Sequence, residues 1–397
     1  MSKISFKNFR GFIDFPELEF GGITFLVGKN NSGKSTVIKA LLLIIDYLKS
    51  NNASHFSFDN GKLGDYANIK TFERAKNKFS NDDYIEFNLQ ISDFIFVIKI
   101  NGSKTKYYGN AFTFEVKDCK NGFIGKFDNS SVYRSVSIKI GMKSIPVMED
   151  NVLEISTKRV FLNAISIFYK KEDDKQCLKR FDEFIGNIKL QYFKASLPKQ
   201  SSILNINDRE NSLAQVVHEY IQLGIDKFES KAKTFLITWL QKDKFDIGQD
   251  IKIECIEGEA YVLKIKRNEK WMSVADAGMG TLQLLTVLLR MTSVLYDFFY
   301  SSNQSSIIIF EEPELNIHPA LQSKLADLFY EVHCLSDGKI NIVVETHSEY
   351  VIRRSQVLVA ENKLETQPNQ NPFKIYYFND EGDKKHYKID YDEDGIL

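Results

Sequence analysis

Cysteine is scarce and scattered in this 397-residue chain. Cys119, Cys177, Cys255 and Cys334 each stand more than 50 residues from the next, with no CxxC pair or nearby histidine spacing. That pattern argues against a disulfide framework and against a thiolate zinc site, and a reducing, cytoplasmic compartment is the expectation. An excess of charge is also missing: 52 Lys and Arg face 53 Asp and Glu, for a formal net charge of -1. No global field pulls such a chain onto nucleic acid or an anionic membrane, so any such binding has to come from a local patch. The opening "MSKISFKNFRGF" lacks a positive-then-apolar leader. No run approaches the ~18–20 apolar residues of a membrane span, so no membrane partner is expected. With only 7 Pro and 21 Gly, and no repeat or low-complexity stretch, the chain is neither fibrous nor disordered.

The composition that remains, 43% hydrophobic and 26% charged, is that of a globular protein. At roughly 100–200 residues per domain, the length allows two or three domains. Residues 4–9 and 18–27 read as strands from their β-branched and aromatic content, and the second runs straight into a glycine-rich loop. From Ser35 to about Ser50 the chain is apolar almost all round, which predicts a helix buried on most sides. Between Tyr84 and about Lys139, alternating runs such as "IEFNLQI" and "FIFVIKI", punctuated by Asn101-Gly102 and Asn121-Gly122, predict antiparallel hairpins. Helical spacing then dominates from 155 to 245, without a long heptad run, and predicts a helical insertion. Its lysines interleave with Asp226, Glu229 and Asp243, the pattern of a solvated face more than of a DNA site. "DYDEDG", Asp390 to Gly395, begins like a calcium loop but lacks the closing bidentate Glu and reads as a solvated tail.

Two buried-type runs, "SIIIF" and "INIVV", each end in a polar motif, which predicts a parallel sheet covered by helices. The expected organisation is therefore 1–154 and 246–397 as the two lobes of one discontinuous α/β domain, with 155–245 inserted.

The chemistry starts at "GKNNSGKST", where Gly28, Gly33, Lys34 and Ser35 satisfy G-x-x-x-x-G-K-[ST] between a predicted strand and a predicted helix. Glycines let the N–H groups of Gly28, Lys29, Asn30, Asn31, Ser32, Gly33, Lys34, Ser35 and Thr36 close around phosphates. Lys34 reaches the β and γ phosphates, and Ser35 offers its hydroxyl to Mg²⁺. Hydrolysis of a nucleotide needs a metal-holding acid and a group that positions water, both at a neighbouring strand end. "IIIFEEPELNIHP" supplies Glu311 for Mg²⁺ and Glu312 as general base, and "INIVVETHS" supplies His347 as a γ-phosphate sensor. "DAGMGTLQLL" adds Asp276, Gly278 and Gly280 ahead of an apolar helix.

Together, Walker A, "EEPELNIHP", "ETHS" and the glycine-rich stretch with its following glutamine resemble the ABC-type P-loop heads of the structural-maintenance-of-chromosomes, recombination-mediator and overcoming-lysogenization-defect ATPases. Short bacterial members of the last group are the nearest likeness. The resemblance is strong over 1–50 and 270–355 and weaker elsewhere. It implies an ABC-type α/β head with a mixed sheet, an antiparallel β subdomain and a helical insertion, hydrolysing ATP with Mg²⁺. It places Asn8 and Arg10 near the nucleotide. It also implies a homodimer of heads or a higher homo-oligomer, in which Asp276, Gly278 and Gly280 of one copy close over the Walker A loop of another. Glu311 stands where the broader family has aspartate, "AGMG" replaces "SGGQ", and no Q-loop glutamine is assigned. With Leu397 as the last residue, no room is left for a TOPRIM nuclease, so the expected output is control of a separate effector, a nuclease or toxin, in anti-phage defence. Direct clamping of DNA by a repair-type ATPase is the alternative; a transporter subunit is disfavoured by the insertion and the "ETHS" context.

Overall fold

A computed structural model describes residues 2–50, 56–58, 61–102, 112–120, 122–128, 135–140, 143–148, 172–194, 200–208, 210–300, 306–362, 371–379 and 386–391. The chain divides into two compact units. The first holds Met1–Gly21, Lys29–Leu190 and Phe378–Lys385, and the second holds Gly22–Gly28, Gln191–Tyr377 and His386–Leu397.

The first unit is built on an eight-stranded sheet of order β2-β1-β4-β5-β6-β7-β8-β9. Its strands are β1 (Ser2–Phe9), β2 (Phe12–Phe20), β4 (Tyr84–Ile91), β5 (Phe94–Asn101), β6 (Phe112–Asp118), β7 (Phe123–Asp128), β8 (Ser135–Ile140) and β9 (Lys143–Met148). Strict alternation sets its faces: β4 and β5 bury every second residue, as a period of two dictates for a sheet with one face covered. Pro16 sits in β2, an edge strand, where a missing N–H costs no ladder bond. The buried face is aromatic, with Phe6 stacked on Phe15 at 4.3 Å and set edge-on to Phe9 and Phe12 at 5.5 and 5.7 Å. Such pairs add about 0.5–1.5 kcal/mol each beyond their burial. The β4–β5 turn falls at Ser92, with φ 55°, and β5 ends at Asn101, just ahead of Gly102. Gly122, with φ 67°, does turn β6 into β7.

Among the described residues, four helices complete the unit: α1 (Lys34–Lys49), α2 (Lys62–Ala67), α3 (Phe72–Ala75) and α4 (Glu172–Asn187). The buried side chains of α1 include Lys34, Thr36 and an apolar run through Leu48, so the helix is enclosed on most sides. Arg180 of α4 clamps Asp118 at 2.9–3.0 Å and also pairs with Asp93, fastening that helix to the sheet.

In the second unit a six-stranded sheet runs β10 (Lys189–Phe193), β15 (Ser306–Glu311), β16 (Ile340–Glu345), β3 (Ile23–Gly28), β17 (Phe373–Phe378), β18 (His386–Ile389). β15, β16 and β3 are parallel, with Phe310 opposite Val344 and Val344 opposite Phe25. The predicted strand 18–27 is thus two strands. Gly22 breaks it at φ 61°, where a Cβ would lie 2.4 Å from the Pro372 carbonyl oxygen, so only glycine lets the chain change sheets here.

Helices α5 (Ser212–Gln222), α6 (Lys231–Leu240), α7 (Met279–Tyr300), α8 (Pro319–Leu335) and α9 (Glu349–Asn362) supply the rest, with a smaller sheet of β11 (Leu204–Asn205), β13 (Ala260–Arg267), β12 (Asp250–Ile256) and β14 (Lys270–Ser273). The 22-residue α7 is long and apolar enough to cross a membrane, although no such run was expected, but 72% of its apolar window is buried inside the protein. Trp239 of α6 is fully buried in the same core. The stretch 155–245 is divided, α4 falling in the first unit and α5 and α6 in the core of the second. Residues 155–171 and the end of "DYDEDG" lie outside the described residues.

Candidate functional site

Parallel pairing carries the ends of three strands to one edge of the second unit's sheet. Glu311 lies opposite Glu345 and Glu345 opposite Leu26, so β15 ends at Glu311, β16 leads into Thr346-His347, and β3 ends at Gly28. The glycine-rich loop continues the chain from that last residue.

The loop belongs to the first unit. Gly33 has φ 105°, and a Cβ there would meet the Phe12 ring at 2.4 Å, so the position demands glycine twice over. Asn31, at φ 64°, supplies the other left-handed turn. The Lys29 carbonyl gathers the Lys34 Nζ and the Ser32 hydroxyl, each at 2.8 Å. Lys34 is only 3% exposed, so its charge is aimed into the loop. Gly33 caps α1 without a side chain, which leaves the first N–H groups of the helix turned toward the loop, the arrangement that binds phosphate.

A cavity of about 510 Å³ opens on Asn31, Ser32, Gly33, Ser35 and Thr36. Its other wall is basic, with Arg10, Arg74, Lys76 and Lys78, and bears Phe79, whose side chain is 86% exposed. A strap of hydrogen bonds holds that wall. Arg10 N–H donates to the Ala75 carbonyl at 2.7 Å, Asn77 N–H to Asn8 at 2.8 Å, and the Asn77 amide to Arg10 at 2.7 Å. Burial lowers the Arg10 pKa, and the neighbouring Arg74 lowers it further. Two crowded guanidiniums of this kind are relieved by an anion. Asn8 does not line the cavity; it is buried, with φ 55°, and its side chain reaches Asp82 at 3.4 Å.

In the second unit the strand ends form an acidic counterpart. Glu312 has φ 45°, a strained conformation for a non-glycine residue, held by its N–H on the Glu345 carbonyl at 2.8 Å. Its Oε1 lies 4.0 Å from His347 Nε2, and both side chains are a little over a third exposed. The His347 N–H donates to Glu314 Oε1 at 2.7 Å. Burial pushes the Glu314 carboxyl above its ordinary value, outweighing the hydrogen bonds it accepts. Asp276 closes a 3₁₀ turn (Val274–Asp276) ahead of α7, and both it and Gly278 are exposed. A Cβ at Gly278 would meet open space, whereas one at Gly280 would lie 2.7 Å from the Asn316 carbonyl oxygen.

Among the described residues no group of three His, Cys, Asp or Glu side chains could hold a metal by itself. Mg²⁺ binds through one or two protein groups plus substrate phosphates. Ser35, on the phosphate cavity, and Glu311, half-buried at a strand end, are donors of the right hardness.

The structure thus joins Glu312 with His347 in one unit and Lys29–Thr36 with Arg10 in the other. Arg74, Lys76, Lys78, Phe79 and Glu314 were not singled out from sequence. The run "FERAKNKF" was the available signal for the first four, a cluster of positive charge around two phenylalanines.

A glycine-rich phosphate loop leaving a parallel sheet edge that bears a glutamate and a histidine defines a P-loop nucleotide-binding α/β domain. Residues 23–353 match, and the chain belongs to, the family described as "AAA domain, putative AbiEii toxin, Type IV TA system". Curated proteins give no match. Among solved structures, the chain is similar to an SMC head bound to the C-winged helix domain of ScpA, at 13% identity and TM-score 0.48, covering 98% of this chain and 96% of that one. A Thermotoga maritima SMC head domain aligns at 13% identity and TM-score 0.38 over 89% and 90%. An SMC head with extended coiled coil bound to the C-terminal domain of ScpA, from Pyrococcus furiosus, aligns at 11% and 0.42 over 98% and 96%.

Proposed function

We propose that the chain is an ATP-hydrolysing switch. The observation that carries this reading is the pairing of Glu312 and His347, 4.0 Å apart, on the sheet edge from which the phosphate loop departs. In this reading Lys34 leaves the Lys29 carbonyl for the β and γ phosphates, while the N–H groups from Gly28 to Thr36 cradle them. Arg10, with Arg74, Lys76 and Lys78, offsets the remaining charge. Ser35 and Glu311 would hold Mg²⁺, which supplies charge neutralisation on the phosphates. Glu312 takes a proton from water as its oxygen bonds to the γ-phosphorus and the bond to the leaving ADP oxygen breaks. His347 donates to the γ-phosphate oxygens and reports whether that phosphate is there. The test is ATP turnover by the purified chain with Mg²⁺, compared with Glu312→Gln; equal rates would refute the assignment.

Exposed Asp276 and Gly278, with open space at the latter, support a second copy as the partner that uses them. Closure of two copies over ATP would then be the switched state, and its output the control of a separate nuclease or toxin in anti-phage defence. The naming of a toxin and a Type IV TA system in the family's description supports that setting. Cys119, Cys255 and Cys334 are free thiols, which suits a reducing cytoplasm. Light scattering of Glu312→Gln with and without ATP tests the dimer; an unchanged mass would count against it.

A further inference from the structure

The turn after β15 is built around a side chain that the hydrolysis chemistry does not use. Pairing of β16 with β3 stops at Glu345 opposite Leu26, and Thr346 N–H still finds the Leu26 carbonyl at 3.2 Å. His347 is therefore the first residue past the ladder, where its N–H needs an acceptor from elsewhere. Glu314, only 8% exposed, provides it at 2.7 Å.

The turn that presents Glu314 is fixed from both sides. Leu315 N–H bonds back to Glu312 at 3.1 Å and Ile317 N–H to Glu314 at 3.0 Å, with Asn316 at φ 61° between them. Gln283, buried on α7, donates to the Pro313 carbonyl at 3.3 Å, and Gly280 leaves room for the Asn316 carbonyl. The carboxyl that holds His347 thus sits in a turn seated on the helix that follows Asp276 and Gly278.

We propose that Glu314 is a positioning residue. By accepting the His347 backbone N–H it holds the imidazole opposite Glu312, and through Pro313 and Asn316 that placement follows the seat of α7. The role rests on the ATPase reading of the site. An amide oxygen can take the place of the carboxyl oxygen, so Glu314→Gln keeps an acceptor for this bond, whereas Glu314→Ala leaves the His347 N–H without its acceptor.

Two readouts test this on the full chain. The first needs no activity. With [¹⁵N]histidine, the chain gives six backbone amide signals, one for each histidine, and His347 is assigned by its loss in His347→Asn. The His347 amide should move upfield in Glu314→Ala and stay near its wild-type position in Glu314→Gln, the other five holding still. The second is turnover. Loss of one hydrogen bond to a group aligned in the transition state should lower kcat about 10-fold with KM for ATP within about 2-fold, and glutamine should restore kcat to within about 3-fold. An unmoved His347 amide in Glu314→Ala, or a moved amide with wild-type kcat, would overturn the proposal, as would a glutamine variant no better than alanine. Wild-type protein without any ATP turnover would remove the ATPase reading and this role with it. A wild type that turns over while Glu314→Ala keeps its kcat removes the role alone.

Discussion

The phosphate loop of the first unit and the strand ends of the second are opposites in construction. The loop relies on backbone: N–H groups at an uncapped helix start, glycine where Phe12 leaves no space for a side chain, and one buried lysine parked on the Lys29 carbonyl. The strand ends rely on side chains. Glu312 is held in a strained turn, His347 lies 4.0 Å away, and Glu314 accepts the bond beneath it. One is basic and the other acidic; in the proposed reading the first takes the polyphosphate and the second moves a proton. In the proposed reading the loop supplies affinity and the strand ends supply chemistry. Mutations should therefore divide cleanly, those in the loop changing binding and those at the strand ends changing rate.

The largest break in that comparison comes at Glu312. Replacing it by glutamine keeps the size and removes the base, so kcat should fall by about 10²–10⁴-fold while ATP affinity stays within a few-fold. Single-turnover hydrolysis alongside a fluorescent-nucleotide titration measures both. A matching loss of affinity would show that the acidic strand end also carries binding. Lys34→Ala is the reciprocal case. It removes a charge-assisted bond of about 1.5–3 kcal/mol, or roughly 10–100-fold in affinity, and the same titration should show it directly.

Both motifs were legible in the sequence for a common reason: each follows the point where a buried apolar run stops, and such runs fix both the strand and the place where its end emerges. Gly28 after "ITFLV" and Glu311 after "SIIIF" need no distant contact to be read. What sequence could not supply is long-range. The Asn77 amide reaches the Arg10 carbonyl across 67 positions, and His347 meets Glu314 across 33. No local pattern encodes those bonds. The break at Gly21-Gly22 was missed because β-branched and aromatic residues lie on both sides of it, and only the close approach of Pro372 shows why glycine is there. Helical spacing over 155–245 likewise says that α4, α5 and α6 each need a partner surface, but not that the surfaces belong to different units.

A medium effect separates two glycines that sequence treats alike. Gly280→Ala sets a methyl 2.7 Å from the Asn316 carbonyl oxygen, so the turn carrying Glu314 must shift. Overpacking of this kind costs about 1–3 kcal/mol, seen as a lower Tm, and should also lower kcat. Gly278→Ala meets nothing within 4 Å and should hold stability to within about 0.5 kcal/mol. Gly278→Asp should likewise keep the fold and ATP binding but abolish ATP-dependent association in the Glu312→Gln background. Equal Tm losses at the two positions would mean that Gly278 is packed in solution.

The smallest effect tests whether the basic wall acts as a field rather than as a contact. Arg74 shares its cavity with the half-buried Arg10, and the mutual repulsion that helps lower the Arg10 pKa is also what an arriving polyphosphate would relieve. Removing one exposed charge from such a wall should weaken nucleotide binding only about 2–5-fold, and the loss should shrink as salt is raised and the remaining field is screened. The control lies in the other unit. Arg353 pairs with Glu349 one helical turn away, both side chains being about 70% exposed, and Arg353→Ala should leave affinity and its salt dependence untouched. If Arg74→Ala gave a salt-independent loss as large as that of Lys34→Ala, the arginine would be a direct phosphate ligand, and the division between a backbone cradle and a diffuse basic wall would have to be redrawn around it.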